Sequence, residues 1–286
     1  MQYSELHCIT NFTFLRGASH PHELVTMASN LGYRALAITD ECSLAGVVKA
    51  HVATFNRNIK LIIGSEFKID SHKVIVLVTN RNSYSKLSSL ITLARRRSKK
   101  GSYQIKWSDL KFNNDGLLII WLPCGDFKKD QLIISQLHDW FERRLWIGFH
   151  NLLNGTETSH LSYLQKLSLL WKVNVVACGD VHMHKKDRQP LQDVLTAIKQ
   201  KCSIMELGKS RYPNSERYLR KIEYLKNIYP EELMRETINI SNLCNFSLNE
   251  LRYEYPIEVV PKNSTSKEYL SFLVPVSYTH LTLPTR

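Results

Sequence analysis

The chain has 286 residues, 43% hydrophobic and 22% charged, ordinary proportions for one large α/β domain or two smaller ones. No apolar run approaches the roughly 20 residues of a membrane helix, and the start lacks a signal-peptide core. Six scattered cysteines without a C-x-x-C spacing exclude a disulfide scaffold and fit free thiols in a reducing cytoplasm. Lys and Arg number 38 against 26 Asp and Glu, an excess that points to a polyanion partner.

Strands and helices alternate along the chain. Ser4–Cys8 reads as a short strand that delivers His7. A loop containing Arg16-Gly17-Ala18-Ser19 leads to a helix opened by Pro21, with Leu24, Val25, Ala28 and Leu31 on one face. Ala35–Thr39 is an apolar strand ending in Asp40-Glu41. Ser43 is placed to cap a second helix carrying Leu44, Val47, Val48 and His51. Lys60–Ile63 delivers Gly64-Ser65-Glu66, and Val74–Thr79 leads into a helix over Tyr84–Arg97. Gly116–Trp121, Lys128–Phe141, Arg144–Phe149 and Glu157–Trp171 continue the alternation. The β-branched run Val173–Cys178 then ends in Gly179-Asp180-Val181-His182-Met183-His184. About seven strand–helix repeats approach the number that closes a parallel barrel.

His7, Asp40, Glu41, Glu66, Asp180 and His182 all fall at the C-terminal ends of expected strands. In a parallel barrel those ends share one rim, where carboxylates and imidazoles can converge on a metal ion or a phosphate. The plain alternative for Asp180–His184 is a polar loop whose Asp caps the helix expected to begin near Asp187. Between Ser83 and Phe112, eight cations that include Arg95, Arg96, Arg97, Lys99 and Lys100 face one acid, Asp109. This basic stretch is a candidate nucleic-acid contact, although cations at a helix C-terminus also complement its dipole. After Leu191 the pattern turns helical, over Leu191–Lys201, Glu216–Asn227 and Pro230–Cys244, with an extended, proline-punctuated stretch over Glu250–Val260.

Longer strings carry more information than these motifs. Glu5-Leu6-His7-Cys8, Asn11 through Pro21, and Ala37 through Val48 resemble the bacterial family C DNA polymerases, the DNA polymerase III α-subunit group. Ile91 through Arg97, Gly179 through His184, Leu191 through Ile198, Pro213-Asn214 with Glu216-Arg217, and Leu251 through Pro256 extend the match. The similarity is greater to the error-prone, damage-inducible branch used in translesion synthesis, and it runs from residue 2 to about 273.

The resemblance implies a PHP (polymerase and histidinol phosphatase) domain, a distorted parallel (β/α)7 barrel, over 1–205. A helical extension over 206–273 would lead toward the polymerase palm and thumb. Residues 274–286 depart abruptly from the pattern and resemble a non-native, adapter-derived tail. Active PHP rims bind metals and hydrolyse phosphoesters. Here the implied metal ligands are His7, Glu41, Glu66, Asp180 and His182, a degenerate set: Ile9 stands where a second histidine is expected and Glu41 replaces another. A further histidine expected near the strand at 144–149 has no aligned equivalent, His150 being offset. Any residual rim metal would be Mn²⁺, Mg²⁺ or Zn²⁺, with the oxygen ligand Glu41 favouring the harder ions.

The family's polymerase carboxylates, which hold Mg²⁺ on the incoming nucleotide, have no match here, since the chain contains no Asp-x-Asp. No catalytic residue of polymerisation is therefore expected in this chain. The implied parent is a cytoplasmic, DNA-directed DNA polymerase of replication and repair that meets DNA, dNTPs and replication or mutasome accessory proteins, with no membrane. The alternative is a metal-dependent PHP phosphoesterase or 3′–5′ exonuclease.

Overall fold

The computed structural model describes residues 2–252, 259–261 and 263–281. Positions 253–258 of the expected extended stretch, and 282–286 of the tail, lie outside the described residues.

Seven strands form one sheet in sequence order: β1 (Ser4–Glu5), β2 (Ala35–Ile38), β3 (Lys60–Ile69), β4 (His72–Val78), β5 (Leu117–Leu122), β6 (Leu145–His150) and β7 (Val175–Cys178). A parallel bridge between Cys8 and Val181 brings the two edges together, so the sheet is a nearly closed barrel. Ile9 N–H donates to Val181 O, and Val181 N–H donates to His7 O, both at 2.9 Å. Closing the edges this way satisfies backbone groups that an open sheet would leave unpaired.

One strand departs from the parallel expectation. β3 turns directly into β4 through Asp70-Ser71, with Asp70 at φ +53°, and β4 runs antiparallel to both β3 and β5. The reversal has a consequence for the rim, because it brings the beginning of β4, not its end, to the C-terminal mouth of the parallel strands. It also makes β3 longer than expected, so Glu66 lies inside the strand, paired with Ile75.

The barrel is filled and clad by alternation. Leu6, Ala35, Ala37, Ile62, Ile75, Leu77, Leu118, Ile120 and Val176 form one buried cluster. Their neighbours Leu36, Ile38, Ile63, Val74, Val76, Ile119 and Ala177 join a larger cluster with helix residues. Successive side chains on a strand face opposite sides, so the first set fills the interior and the second packs under the helices.

Those helices are α1 (Pro21–Asn30), α2 (Val47–Thr54), α3 (Arg81–Arg96), the short α4 (Trp107–Phe112), α5 (Phe127–Phe141) and α6 (Glu157–Trp171). Caps set several starts. Asn80 Oδ1 accepts from Ser83 N–H at 2.9 Å, so α3 begins three residues before its apolar pattern. Asp126 caps α5 through the N–H groups of Lys128 and Lys129. Ser43 does not cap α2; its Oγ accepts from Ala45 N–H while the helix starts later, at Val47.

Beyond the barrel strands come α7 (Gln189–Gln200), α8 (Ile222–Ile228) and α9 (Glu231–Leu243). The helix expected over Glu216–Asn227 is shorter, because Glu216–Lys221 is not helical and Tyr218 bridges Met183. α9 closes the N-terminal end of the barrel. Ser4 N–H donates to Thr237 Oγ1 at 3.1 Å, Lys60 Nζ to Ser241 O at 2.7 Å and Trp146 Nε1–H to Glu236 Oε1 at 2.7 Å, with Ile240 joining the interior cluster. All of this lies in one compact unit that ends at Glu250; a second unit starts at Leu251 and carries α10 (Ser266–Leu281).

Candidate functional site

With one end plugged, the chemistry collects at the other. Five of the seven strands supply polar side chains to the mouth from or just beyond their C-terminal halves. His7 follows β1, Asp40 and Glu41 follow β2, Glu66 comes from β3, His150 ends β6, and Asp180 and His182 follow β7. All but Glu41 and His150 are at least nine-tenths buried.

His7 is the centre of this ring. Its Nε2–H donates to Glu66 Oε2 at 2.6 Å, its Nδ1 lies 3.0 Å from His150 Nε2, and Asp180 Oδ1 is 3.6 Å from Nδ1. Burial pulls the His7 pKa down against the opposing pull of Glu66. In the neutral ring, an Nε2–H facing Glu66 leaves Nδ1 as the acceptor, and His150 Nε2–H is the matching donor. His7, Glu66 and Asp180 can bring one ligand atom each within 4.8 Å of one another, the grouping expected of a metal centre. His150 is a site residue that the sequence reading left offset. Its strand extends one residue further than expected, which carries the ring onto His7 with centroids 5.1 Å apart.

Three side-chain cations share this mouth. Arg16 Nη1 donates to Glu41 Oε2 at 2.5 Å and to Glu66 Oε1 at 2.7 Å. Lys73 Nζ lies 3.5 Å from Glu66 Oε2, delivered there by the reversal of β4. Arg217 Nη1 contacts Asp180 Oδ2, from a strap over residues 211–221. His182 N–H and Met183 N–H both donate to Arg217 O, which ties that strap across the rim. Tyr212 of the strap lies under the Arg217 guanidinium and against the His182 ring.

These charges set the protonation states. Burial alone would raise the Glu66 pKa, but Lys73, Arg16 and His7 overcome it and hold the carboxyl well below its ordinary value. Burial and Arg16 pull the Arg217 pKa down to about 10, against Glu66. Burial also pushes His150 and His182 well below the usual histidine range, reinforced for His150 by His7 and Lys73 and for His182 by Arg16 and Lys73.

Asp40 and Glu41 are engaged elsewhere. Asp40 accepts from Thr10 N–H at 2.7 Å, from Thr10 Oγ1–H, and from Thr13 Oγ1–H at 2.7 Å, so it organises the loop after β1. Burial nevertheless keeps its pKa raised. Glu41 accepts from Tyr103 OH at 2.9 Å, besides its pair with Arg16. His184, the last member of the Asp180–His184 cluster, turns away to Ser19 Oγ at 2.8 Å.

The residues present do not fit a divalent metal. Glu66 and Asp180 already face N–H groups of Arg16, His7 and Arg217, and the His7 nitrogens are taken by Glu66 and His150. Ile9, fully buried, offers no ligand atom where the resemblance implies a histidine. A dication about 5 Å from one guanidinium, at an effective dielectric of about 20, is repelled by about 7 kcal/mol. The three resident cations thus occupy the carboxylate oxygens that a metal would need.

The basic stretch divides in two. Arg95 donates to the carbonyls of Cys42 and Glu41 and stacks over Tyr103, bracing the rim from behind. Arg97 pairs with Asp109. Arg96, Lys99 and Lys100 are exposed. A second grouping, His72, Cys124 and Asp130, is built from the first residue of β4, whose side chain faces the opposite side from Lys73, the turn after β5 and the first turn of α5. Both Asp130 oxygens are used: Oδ1 accepts from His72 Nε2–H and Cys124 N–H, Oδ2 from Gly125 N–H and Tyr163 OH, at 2.6–3.0 Å. It is the brace of the turn after β5.

The seven-stranded barrel, one end plugged by a helix and the other ringed by histidines and carboxylates, is that of a PHP domain, whose family model matches residues 5–144. Across the longer chain, similarity is to the error-prone DNA polymerase of Saccharophagus degradans, 47% identical over 275 residues, covering 96% of this chain and 27% of the relative. The Methylococcus capsulatus error-prone DNA polymerase is 48% identical over 270 residues, covering 94% and 26%. The chain is thus similar over nearly its whole length to error-prone DNA polymerases, and it spans about a quarter of the length of these relatives. Among solved structures, an amidohydrolase from Chromobacterium violaceum aligns with TM-score 0.47 and 14% identity, over 63% of this chain and 87% of that one. No helix among the described residues is long and apolar enough to cross a membrane.

Proposed function

We propose that this chain is the PHP-domain segment of an error-prone, DNA-directed DNA polymerase that acts in translesion synthesis, and that its PHP rim is structural. The observation that supports the polymerase reading is identity of 41–48% to error-prone DNA polymerases over 94–96% of the chain. The structural role of the rim rests on Arg16, Lys73 and Arg217 among its carboxylates. In this reading the parent binds DNA and dNTPs in the cytoplasm, uses Mg²⁺ at polymerase carboxylates outside this chain, and works with replication or mutasome accessory proteins. Mn²⁺, Mg²⁺ and Zn²⁺ find no complete ligand set at the rim. Arg96, Lys99 and Lys100 are exposed cations through which the parent would meet DNA phosphates.

The test is primer extension by the product of the intact gene, on undamaged and lesion-bearing templates with Mg²⁺. Extension by the intact product and none by this chain alone is the expected outcome. An intact product without extension activity overturns the polymerase reading.

A further inference from the structure

Three carboxylates at the barrel mouth, Glu41, Glu66 and Asp180, meet three side-chain cations, Arg16, Lys73 and Arg217. The cations come from three unrelated parts of the chain: the loop after β1, the start of the reversed strand β4, and the strap over residues 211–221. None is needed to complete the hydrophobic core, and each is aimed at the carboxylates. The Arg16 side chain is 13% exposed and that of Arg217 18%, so both guanidiniums are largely removed from water. Burying a guanidinium is unfavourable without a paired anion, and burying these carboxylates is unfavourable without a paired cation.

We propose that Arg16, Lys73 and Arg217 are built-in counter-ions that replace divalent metal at this rim, bridging strand ends and balancing charge so that the mouth is held without any metal. The bridging is explicit. Arg16 joins Glu41 after β2 to Glu66 of β3, Lys73 joins β4 to the same Glu66, and Arg217 joins the strap to Asp180 after β7. The proposal deepens the structural reading of the rim: it names what holds the rim together in place of metal.

The experiment is metal analysis and thermal unfolding of the full chain, before and after EDTA. Sub-stoichiometric metal is expected, with a Tm that moves by less than about 1 °C on adding EDTA, Mn²⁺ or Zn²⁺, because a ligand without affinity for the native state does not stabilise it. Arg16→Gln should lower the Tm by roughly 6–12 °C for a domain of this size. Mn²⁺ or Zn²⁺ should then restore part of that loss, because Glu41 and Glu66 have lost their cation. Arg96→Gln, at an exposed cation outside the rim, serves as the unchanged control. A wild-type chain that carries one or more metal ions and loses Tm in EDTA overturns the proposal, even if Arg16→Gln fails to fold. An Arg16→Gln variant with wild-type Tm overturns it as well. Neither result bears on primer extension by the intact gene product, so failure of this proposal and failure of the polymerase reading are separable.

Discussion

Acidification from pH 7.5 to pH 5.5 should destabilise this domain through three rim histidines, by at most about 4 kcal/mol. Burial first, and then the nearby Lys73, lower the pKa values of His7, His150 and His182 from the ordinary 6.5 and favour the neutral rings. The unfolded chain takes up protons on these rings near pH 6.5 while the native state does not. The unfolded state thus binds more protons in this window, so stability rises with pH and is lost on acidification. Integrated over the two pH units, a ring that stays neutral throughout in the native state contributes about 1.4 kcal/mol, the upper limit for each. His160 and His184, less buried, are shifted the same way and add to the loss. Glu66 adds a second window: its depressed pKa gives stability that is present above its ordinary 4.5 and lost as pH falls toward the folded value. Urea unfolding followed by tryptophan fluorescence at pH 7.5, 6.5 and 5.5 reads the slope directly. His150→Gln should make that slope shallower. Stability that stays flat from pH 7.5 to 5.5 would refute the neutral, buried imidazoles on which the site description rests.

Other perturbations separate the rim from the rest. Asp130→Asn removes the charge that gathers His72, Tyr163 and two backbone N–H groups, and should cost about 3 kcal/mol in urea unfolding while leaving the rim's pH slope intact. Gly179→Ala places a Cβ 2.2 Å from Glu5 Oε2 and disturbs the Gly179 N–H bond to Glu5 Oε1, so a loss of about 1–3 kcal/mol is expected by the same assay. Reversing Arg96, Lys99 and Lys100 to Glu should weaken single-stranded DNA binding and lower its salt slope by up to about 2. An unchanged slope would mark them as an ordinary solvated helix end.

Much of the barrel is legible in the sequence because short β-branched runs bounded by glycines and polar turns alternate with capped helices. The direction of β4 is not. Its run Val74–Val78 is buried on both faces, as a parallel strand would be, and only the two-residue turn Asp70-Ser71 separates it from β3. Missing that hairpin hides Lys73, since a strand leaving the mouth is read as one entering it.

The metal-type ligands His7, Glu66, Asp180 and His182 were legible because each closes or follows an apolar run. Their partners lie in irregular backbone. Arg16 sits in a loop with no periodicity, and Arg217 lies where polar spacing imitates a helix over 216–227 but the chain is extended against Met183. Both occur within the strings that resemble the polymerase family, so resemblance marked the positions without giving their roles.

Hydrolysis of a phosphomonoester and of single-stranded DNA by the purified chain, with Mn²⁺ or Zn²⁺ supplied, tests the structural rim most directly. Mutual neutralisation of Glu41, Glu66 and Asp180 by Arg16, Lys73 and Arg217 leads to turnover no faster than in buffer with the same metal. Metal-dependent turnover that disappears in His7→Ala would show a working active site and contradict the account.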